Sequence, residues 1–205
     1  MFTLLVVCTA NVCRSPLAAY VLGRRLTGGI AGQDFAVVSA GTRARAGLAI
    51  CPRVALGLSA TDEGARYSEQ HASQPLTEQL IAASDLILVP DAENRTRVSL
   101  LLPLARRRTF TMREADAILT RLEPDGVPPL PELVALMHGQ RAEVAVSDAP
   151  RRRLASRLKR DDSGIDIPDG HNLGSSQHRR TLEEVQARAE SVAARLARAG
   201  SRRSC

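Results

Sequence analysis

Four short apolar runs are spaced along the chain, and stretches with helical periodicity separate them. Short runs rich in Val, Ile and Leu are typical of buried strands, and they occupy residues 2–7, 35–39, 85–89 and 108–112. Apolar residues recur at helical spacing over about 16–27, 50–58, 76–83, 92–102 and 179–199. This alternation predicts an α/β fold with a four-stranded parallel sheet and helices on both of its faces.

One long region, residues 117–161, departs from this alternation. It contains a cluster of Pro and Gly at 124–129, which breaks helices and indicates a turn or linker, and then a helical pattern over 130–144. The length of 205 residues is compatible with one α/β domain. We therefore predict a single domain over 1–200, followed by a basic tail at 201–205.

The first predicted strand leads directly into a segment suited to holding a phosphate group. Cys8 stands at the carboxyl end of this strand, where parallel sheets bind ligands. Five residues separate it from Arg14, and Ser15 and Pro16 then have the residue types favoured at a helix N-cap and first helical position. Backbone N–H groups of a tight loop and the helix N-terminus can converge on one anion.

The same spacing places a nucleophile and a cation beside the bound phosphate. The planar guanidinium of Arg14 can bind two phosphate oxygens, and the positive surroundings favour the thiolate form of Cys8, which can attack phosphorus. A Cys and an Arg at this spacing are also compatible with an inert core thiol. The preceding strand and the Arg-Ser-Pro junction favour the catalytic interpretation.

The segment from Val7 to Pro16 resembles the signature of the low-molecular-weight protein tyrosine phosphatases, Cys-x-Gly-Asn-Ile-Cys-Arg-Ser-Pro after the first strand. Other segments resemble that family in the same order, namely Ser39–Thr42, Ser84–Leu88, Glu93–Arg95, Arg108–Glu114 and Asp166–Asp169. The resemblance covers about residues 1–116 and 162–199. It implies a flavodoxin-like three-layer sandwich, with an enlarged helical insertion at about 117–161 that either lines the substrate cleft or is a structural elaboration.

The resemblance implies a protein tyrosine phosphatase that hydrolyses phosphotyrosine in protein substrates through a phosphocysteine intermediate, without a metal or other cofactor. It assigns Cys8 as the nucleophile, and Arg14 as the group that binds phosphate and stabilises the transition state. Asp169 aligns with the family's general acid/base, and Asp166 is the reserve candidate.

The loop around the candidate acid departs from the family pattern. Gly170 replaces the usual proline, and His171 stands where an aromatic residue often follows. Since glycine is conformationally permissive, we expect a more mobile loop here.

Six further residues belong to the candidate phosphate-binding loop: Thr9, Ala10, Asn11, Val12, Cys13 and Ser15. Ser15 is expected to donate a hydrogen bond to the thiolate, and Asn11 either braces the loop or is a simple turn residue. Ala10 replaces the family's glycine, which costs about 1 kcal/mol if the position needs a positive φ. Cys13 is either a small packing residue or, as the resemblance implies, forms a reversible disulfide with Cys8 that protects against overoxidation.

Three other functions are compatible with parts of this pattern. A related branch acts on phosphoarginine and carries threonine at the position of Val12, so Val12 favours the tyrosine branch. Arsenate reductases share the fold but need further cysteines, and neither Cys51 nor Cys205 is well placed for this by sequence. A non-catalytic phosphoprotein-binding module would be expected to lack Cys8 or the acid.

Charge and composition restrict the partners. The net charge is +6, and arginines cluster at 106–108, 151–153 and 202–203 without forming a known nucleic-acid motif. Aromatic residues make up 2% of the chain, which argues against base stacking. A basic surface instead attracts phosphorylated proteins. We predict a phosphoprotein substrate and no nucleic-acid partner.

Cysteine usage and hydropathy indicate the compartment. Four cysteines do not follow the spacing of a zinc or disulfide framework, and the four histidines lie far from them in sequence. No stretch reaches the roughly 18 apolar residues of a membrane span, and no targeting segment is visible. The predictions are reduced thiols, no metal site, no membrane partner and a cytoplasmic location; the sequence leaves the oligomeric state open.

Overall fold

A computed structural model describes residues 1–26, 34–122, 128–147, 164–171 and 173–200. Four parallel strands form one sheet in the order β2-β1-β3-β4. The strands are β1 (Phe2–Cys8), β2 (Phe35–Gly41), β3 (Leu86–Val89) and β4 (Thr109–Thr111). Each of the four apolar runs in the sequence contributes one strand, and the predicted α/β fold with a parallel sheet is confirmed.

The helices are α1 (Arg14–Leu26), α2 (Pro52–Leu58), α3 (Asp62–Gln70), α4 (Glu78–Ala82), α5 (Ala92–Leu101), α6 (Met112–Leu122), α7 (Leu130–Ser147) and α8 (Ser175–Gly200), with a 3-10 helix over Pro103–Arg108. Helical periodicity did not predict α3 or α6. The α3 sequence is mostly polar, and its start depends on Thr61, whose side chain accepts a hydrogen bond from the Gly64 N–H.

The sheet is covered on both faces, which explains why its strands are continuous apolar runs. In β1, Leu4 and Val6 point into the core formed with α1, α6 and α8. Leu5 and Val7 point into the opposite core, which contains Ile81 of α4 and Val98 of α5. The result is the three-layer arrangement of helices, sheet and helices.

The strand order places a crevice at the carboxyl end of β1. From β1 the chain crosses to β2 on one side, and β3 pairs with the other side of β1. Such a reversal of direction is where parallel sheets bind ligands. Cys8 stands at this end of β1, and Asp91 follows β3 at the same end.

The helical pattern predicted over 130–144 is present as α7 and continues to Ser147. Leu130, Leu133 and Met137 are buried in the same core cluster as one face of the sheet. The guanidinium of Arg141 lies 4.5 Å from the centre of the Phe110 ring. The helix is therefore packed into the domain.

Several sequence predictions fall outside the described residues: the rest of the predicted insertion at 123–127 and 148–161, the arginines at 151–153, and the tail at 201–205 with Cys205. Among the described helices, none is both long enough and apolar enough to cross a membrane.

Candidate active site

The loop between β1 and α1 curls around the Cys8 thiol. The Asn11 N–H lies 3.3 Å from Cys8 Sγ, and Ser15 Oγ lies 3.0 Å from it. The helix begins at Arg14, so the prediction of Ser15 as the N-cap is wrong. Ser15 occupies the first turn instead, and its hydroxyl accepts a hydrogen bond from Asn11 Nδ2 (2.9 Å), which directs it toward the loop.

Asn11 gives the loop its shape. Within the described part of the chain it is the only non-glycine residue with a positive φ (55°), a conformation that Asn tolerates better than most residues. Its side chain also donates to Ser39 Oγ (2.9 Å) and accepts from the Gln74 N–H (2.9 Å). Asn11 is thus both turn residue and brace. Ala10 does not have a positive φ, so its replacement of a glycine carries no such strain.

The end of β2 supports the loop from one side. The Thr42 N–H donates to Cys8 O and the Arg43 N–H to Thr9 O, both at 2.8 Å. A Cβ atom at position 41 would lie 2.8 Å from Thr9 O and 2.9 Å from Asn11 N. Gly41 is needed here because the loop passes too close for any side chain.

Arg14 is held by two carboxylates at the edge of the loop. Its side chain is 4% exposed; Nη1 lies 2.9 Å from Asp91 Oδ2, and Nη2 lies 2.7 Å from Asp169 Oδ2. Asp91 also caps α5, since its Oδ1 accepts from the Asn94 N–H. Sequence reasoning missed Asp91, although an N-cap Asp directly after a buried strand is a detectable signal.

The two candidate acids have different surroundings. Asp169 is 50% exposed and reaches Arg14, whereas Asp166 Oδ1 accepts from the Ala92 N–H at the start of α5 (2.8 Å). The structure brings Asp169 to the guanidinium and uses Asp166 to attach the loop to α5. The loop is attached again where the Ile167 N–H donates to Pro90 O (2.8 Å).

Gly170 has a packing role beside the candidate acid. A Cβ atom at this position would lie 2.6 Å from Gln177 O and 2.5 Å from Thr181 Oγ1. The residue is buried against the first turns of α8. The glycine therefore permits close approach of the loop to the helix.

The structure also assembles a cluster that the sequence did not reveal. The donor atoms of Cys13, Cys51, His171 and His178 all lie within 4.8 Å of one another. Cys13 Sγ lies 3.2 Å from His171 Nδ1, and Cys51 Sγ lies 3.7 Å from His178 Nε2. The two cysteines are far from each other and from the two histidines in sequence, and the four residues follow no motif, so only the fold brings them together.

The two thiols of this cluster perturb each other's pKa. Interaction with Cys13 lowers the pKa of Cys51 to about 5, and interaction with Cys51, together with burial, raises the pKa of Cys13. Cys51 is fixed against the loop because its N–H donates to Val12 O (2.7 Å).

Comparison with known proteins identifies relatives of this chain. A family model described as "Low molecular weight phosphotyrosine protein phosphatase" matches residues 3–122. The probable low molecular weight protein-tyrosine-phosphatase EpsP of Ralstonia nicotianae is 32% identical over 117 residues, which cover 56% of this chain and 72% of the relative. The low molecular weight protein-tyrosine-phosphatase Etp of Escherichia coli K12 is 36% identical over 111 residues, which cover 53% of this chain and 67% of the relative.

Solved structures share the fold. A YwlE mutant from Bacillus subtilis matches with a TM-score of 0.62 and 20% identity, covering 96% of this chain and 99% of the other. The tyrosine phosphatase Wzb from Escherichia coli K30, in complex with phosphate, matches with a TM-score of 0.56 and 22% identity, and the match covers 96% of this chain and 97% of Wzb. The architecture is that of a small α/β phosphatase. The family model spans more than half of the chain, and the chain belongs to the low molecular weight phosphotyrosine protein phosphatase family.

Proposed function

We propose that this chain hydrolyses phosphotyrosine in protein substrates through a phosphocysteine intermediate on Cys8. The observation that carries the proposal is the placement of Cys8 Sγ. It lies at the carboxyl end of β1, inside a loop that begins at the thiol and ends at the buried guanidinium of Arg14. A phosphate in this loop would meet backbone N–H groups, the N-terminus of α1 and Arg14 together.

In the first step the Cys8 thiolate attacks phosphorus in line with the tyrosyl oxygen. An S–P bond forms while the P–O bond breaks, and the negative charge on the equatorial oxygens is stabilised by the loop N–H groups and Arg14. Ser15 Oγ, 3.0 Å from Cys8 Sγ, is the proposed donor to the thiolate. The same bond stabilises sulfur again when it departs in the second step.

Asp169 is the proposed general acid. The ion pair with Arg14 holds its carboxyl at the rim of the loop, and a phosphate that takes over the Arg14 Nη2 donor leaves the carboxyl to face the tyrosyl oxygen. Once released from the ion pair, the Asp169 carboxylate takes up a proton from solvent and gives it to that oxygen as the P–O bond breaks. As a carboxylate it then takes a proton from the water that attacks phosphocysteine, which releases phosphate and the Cys8 thiolate.

Substrate choice is the finer part of the proposal. Val12, partly buried against the core, occupies the position where the phosphoarginine branch has threonine, and this supports phosphotyrosine. The YwlE arginine phosphatases among the structural neighbours are 20% identical and support the fold alone. We further propose a location in a reducing compartment such as the cytoplasm, where a thiolate nucleophile persists.

The roles of Cys8 and Arg14 predict a specific pair of defects. Cys8→Ser should show no measurable hydrolysis of a phosphotyrosine peptide but should still bind tungstate, since the anion-binding loop survives. Arg14→Ala should lose both properties. Arg97→Ala, an exposed arginine on α5, is the matched control and should keep both. Turnover by steady-state kinetics and tungstate binding by calorimetry provide the two measurements.

Two outcomes would contradict the proposal. Hydrolysis of the phosphotyrosine peptide by the Cys8→Ser protein would show that Cys8 is not the nucleophile. Faster hydrolysis of a phosphoarginine peptide than of the matched phosphotyrosine peptide by the unmodified protein would reassign the substrate while leaving Cys8 in place.

A further inference from the structure

The cluster of Cys13, Cys51, His171 and His178 has the composition of a structural zinc site. Two thiols and two imidazoles are the donors of the common Cys2His2 sites. With Zn–S near 2.3 Å and Zn–N near 2.0 Å, a tetrahedron has donor separations of about 3.4–3.8 Å. The separations of 3.2 Å and 3.7 Å in the two Cys–His pairs lie near that range.

The surroundings also fit a metal ion. Cys13, Cys51 and His178 are buried, and His171 is exposed. Two thiolates and two neutral imidazoles balance the charge of Zn²⁺, so that the buried site carries no net charge. The largest donor separation is 4.8 Å, so closing the tetrahedron requires donor atoms to move by about 1 Å toward one another. His171 lies in a surface loop, where such movement is easiest.

We propose that Cys13, Cys51, His171 and His178 bind one Zn²⁺ ion in a tetrahedral site. Sulfur and imidazole donors select zinc over calcium or magnesium, which prefer oxygen. Both sulfur atoms bind the metal as thiolates, and a proton still held by either thiol passes to solvent. This proposal replaces the prediction of no metal site, which rested on sequence spacing alone.

The ion would connect four parts of the site. Cys13 belongs to the phosphate-binding loop, Cys51 precedes α2, His171 follows Asp169 by two residues, and His178 lies on α8. Zinc would therefore fasten the loop that carries Asp169 to the loop that carries Cys8. It would take no part in the chemical steps, which use Cys8, Arg14 and Asp169.

Cobalt binding provides the direct test. The protein is prepared without an affinity tag, as Cys8→Ser, reduced and treated with a chelator. Titration with Co²⁺ should produce thiolate-to-cobalt charge-transfer absorption and the intense visible bands of tetrahedral Co²⁺, saturating at one ion per chain. Added Zn²⁺ should abolish both. Because this variant lacks the nucleophile, the result is independent of the proposed phosphatase activity.

Variants assign the ligands. Cys51→Ser and His178→Gln should each weaken Co²⁺ binding by more than the roughly 10–100-fold that loss of an outer-shell partner causes. His171→Gln should do the same, with little risk to folding because its side chain is exposed. His138→Gln on α7 is the matched control and should bind as the parent does. Zinc should raise the Tm of the parent and of the control but of none of the ligand variants.

Three results would overturn the proposal. These are Co²⁺ spectra without thiolate charge transfer, ligand variants that bind Co²⁺ as tightly as His138→Gln, and a Cys13–Cys51 disulfide found by mass spectrometry in the reduced preparation. Circular dichroism of each metal-free variant separates loss of a ligand from loss of folding, and His171→Gln decides the matter if a buried variant fails to fold.

Discussion

Asp166 and Asp169 lie three positions apart in one loop, yet their contacts differ. Asp169 Oδ2 is 2.7 Å from Arg14 Nη2, whereas Asp166 Oδ1 accepts the Ala92 N–H. The first arrangement holds a carboxyl at the guanidinium of Arg14, and the second attaches the loop to the N-terminus of α5, where a negative charge is favourable. The two aspartates are distinguished by the residues that they contact, and the sequence alone does not reveal those contacts.

The assignment of Asp169 as general acid predicts a defect that depends on the leaving group. Tyrosine leaves with a pKa of about 10, so Asp169→Asn should slow single-turnover phosphorylation of Cys8 by phosphotyrosine by about 10²–10⁴-fold. An aryl phosphate with a far more acidic phenol should be slowed much less. Asp166→Asn, which keeps an oxygen for the Ala92 N–H, is the matched control and should show a small loss that is equal for both substrates. The reverse pattern would exchange the two roles.

Residues of the candidate phosphate-binding loop can be recognised in the sequence because they lie close together along the chain. Cys8 and Arg14 stand a fixed number of residues apart between a strand and a helix, so their spacing together with the flanking strand and the Arg-Ser-Pro junction indicates the chemistry. Asp91, Cys51 and His178 reach the same region from the ends of other elements. Their contribution depends on the packing of the whole sheet, and a single sequence does not show that packing.

At the scale of elements, the sequence predicts all four strands and most helices, but it misses α6 although Ile118 and Leu119 of that helix are buried in the core. The four strands were detectable as short continuous apolar runs, and α1, α7 and α8 because their apolar residues recur at helical spacing. The start of α1 was predicted two residues late, since the helix begins inside the loop at Arg14. Arg14 and Ser15 belong both to the candidate phosphate-binding loop and to the first turn of α1. The Ser15-Pro16 pair therefore did not mark the start of the helix.

The contact between the acid-carrying loop and α8 predicts a glycine requirement. Gly170→Ala should displace the loop, because the new Cβ atom would lie 2.6 Å from a backbone oxygen of Gln177. We expect a fall in kcat for phosphotyrosine of at least about tenfold, by analogy with the 10²-fold effect of a 1 Å misplacement. Steady-state kinetics with phosphotyrosine and with an activated aryl phosphate provide the measurement.

Gly139→Ala is the control for this change. Gly139 lies within α7, and a Cβ atom there meets nothing within 4 Å. The Gly139→Ala substitution should raise the free energy of unfolding by about 0.5–1 kcal/mol without altering kcat. Unchanged kinetics in Gly170→Ala would show that the loop tolerates the displacement and that Asp169 is positioned by Arg14 alone.

At the scale of the whole molecule, α7 is joined to the rest of the domain by apolar and by polar contacts. The sequence predicted it as part of an insertion, and its described residues reach the same core as the sheet. Arg141 adds a polar connection, with Nε 3.0 Å from Glu114 Oε1 and Nη2 donating to Thr109 O. These contacts are directed at α6 and β4, and they indicate a structural role for α7.

If α7 is part of the domain core, loss of its buried side chains should destabilise the whole molecule. Met137 is fully buried and adjacent Leu136 is 39% exposed, which provides a matched pair on one helix. Met137→Ala should lower the free energy of unfolding by about 2–5 kcal/mol, and Leu136→Ala by about 0.5 kcal/mol or less. Urea unfolding followed by circular dichroism should show one cooperative transition, with the midpoint lowered and the slope unchanged in Met137→Ala. Equal midpoints for the two variants, or a separate early transition, would instead describe α7 as an appendage that unfolds independently of the phosphatase core.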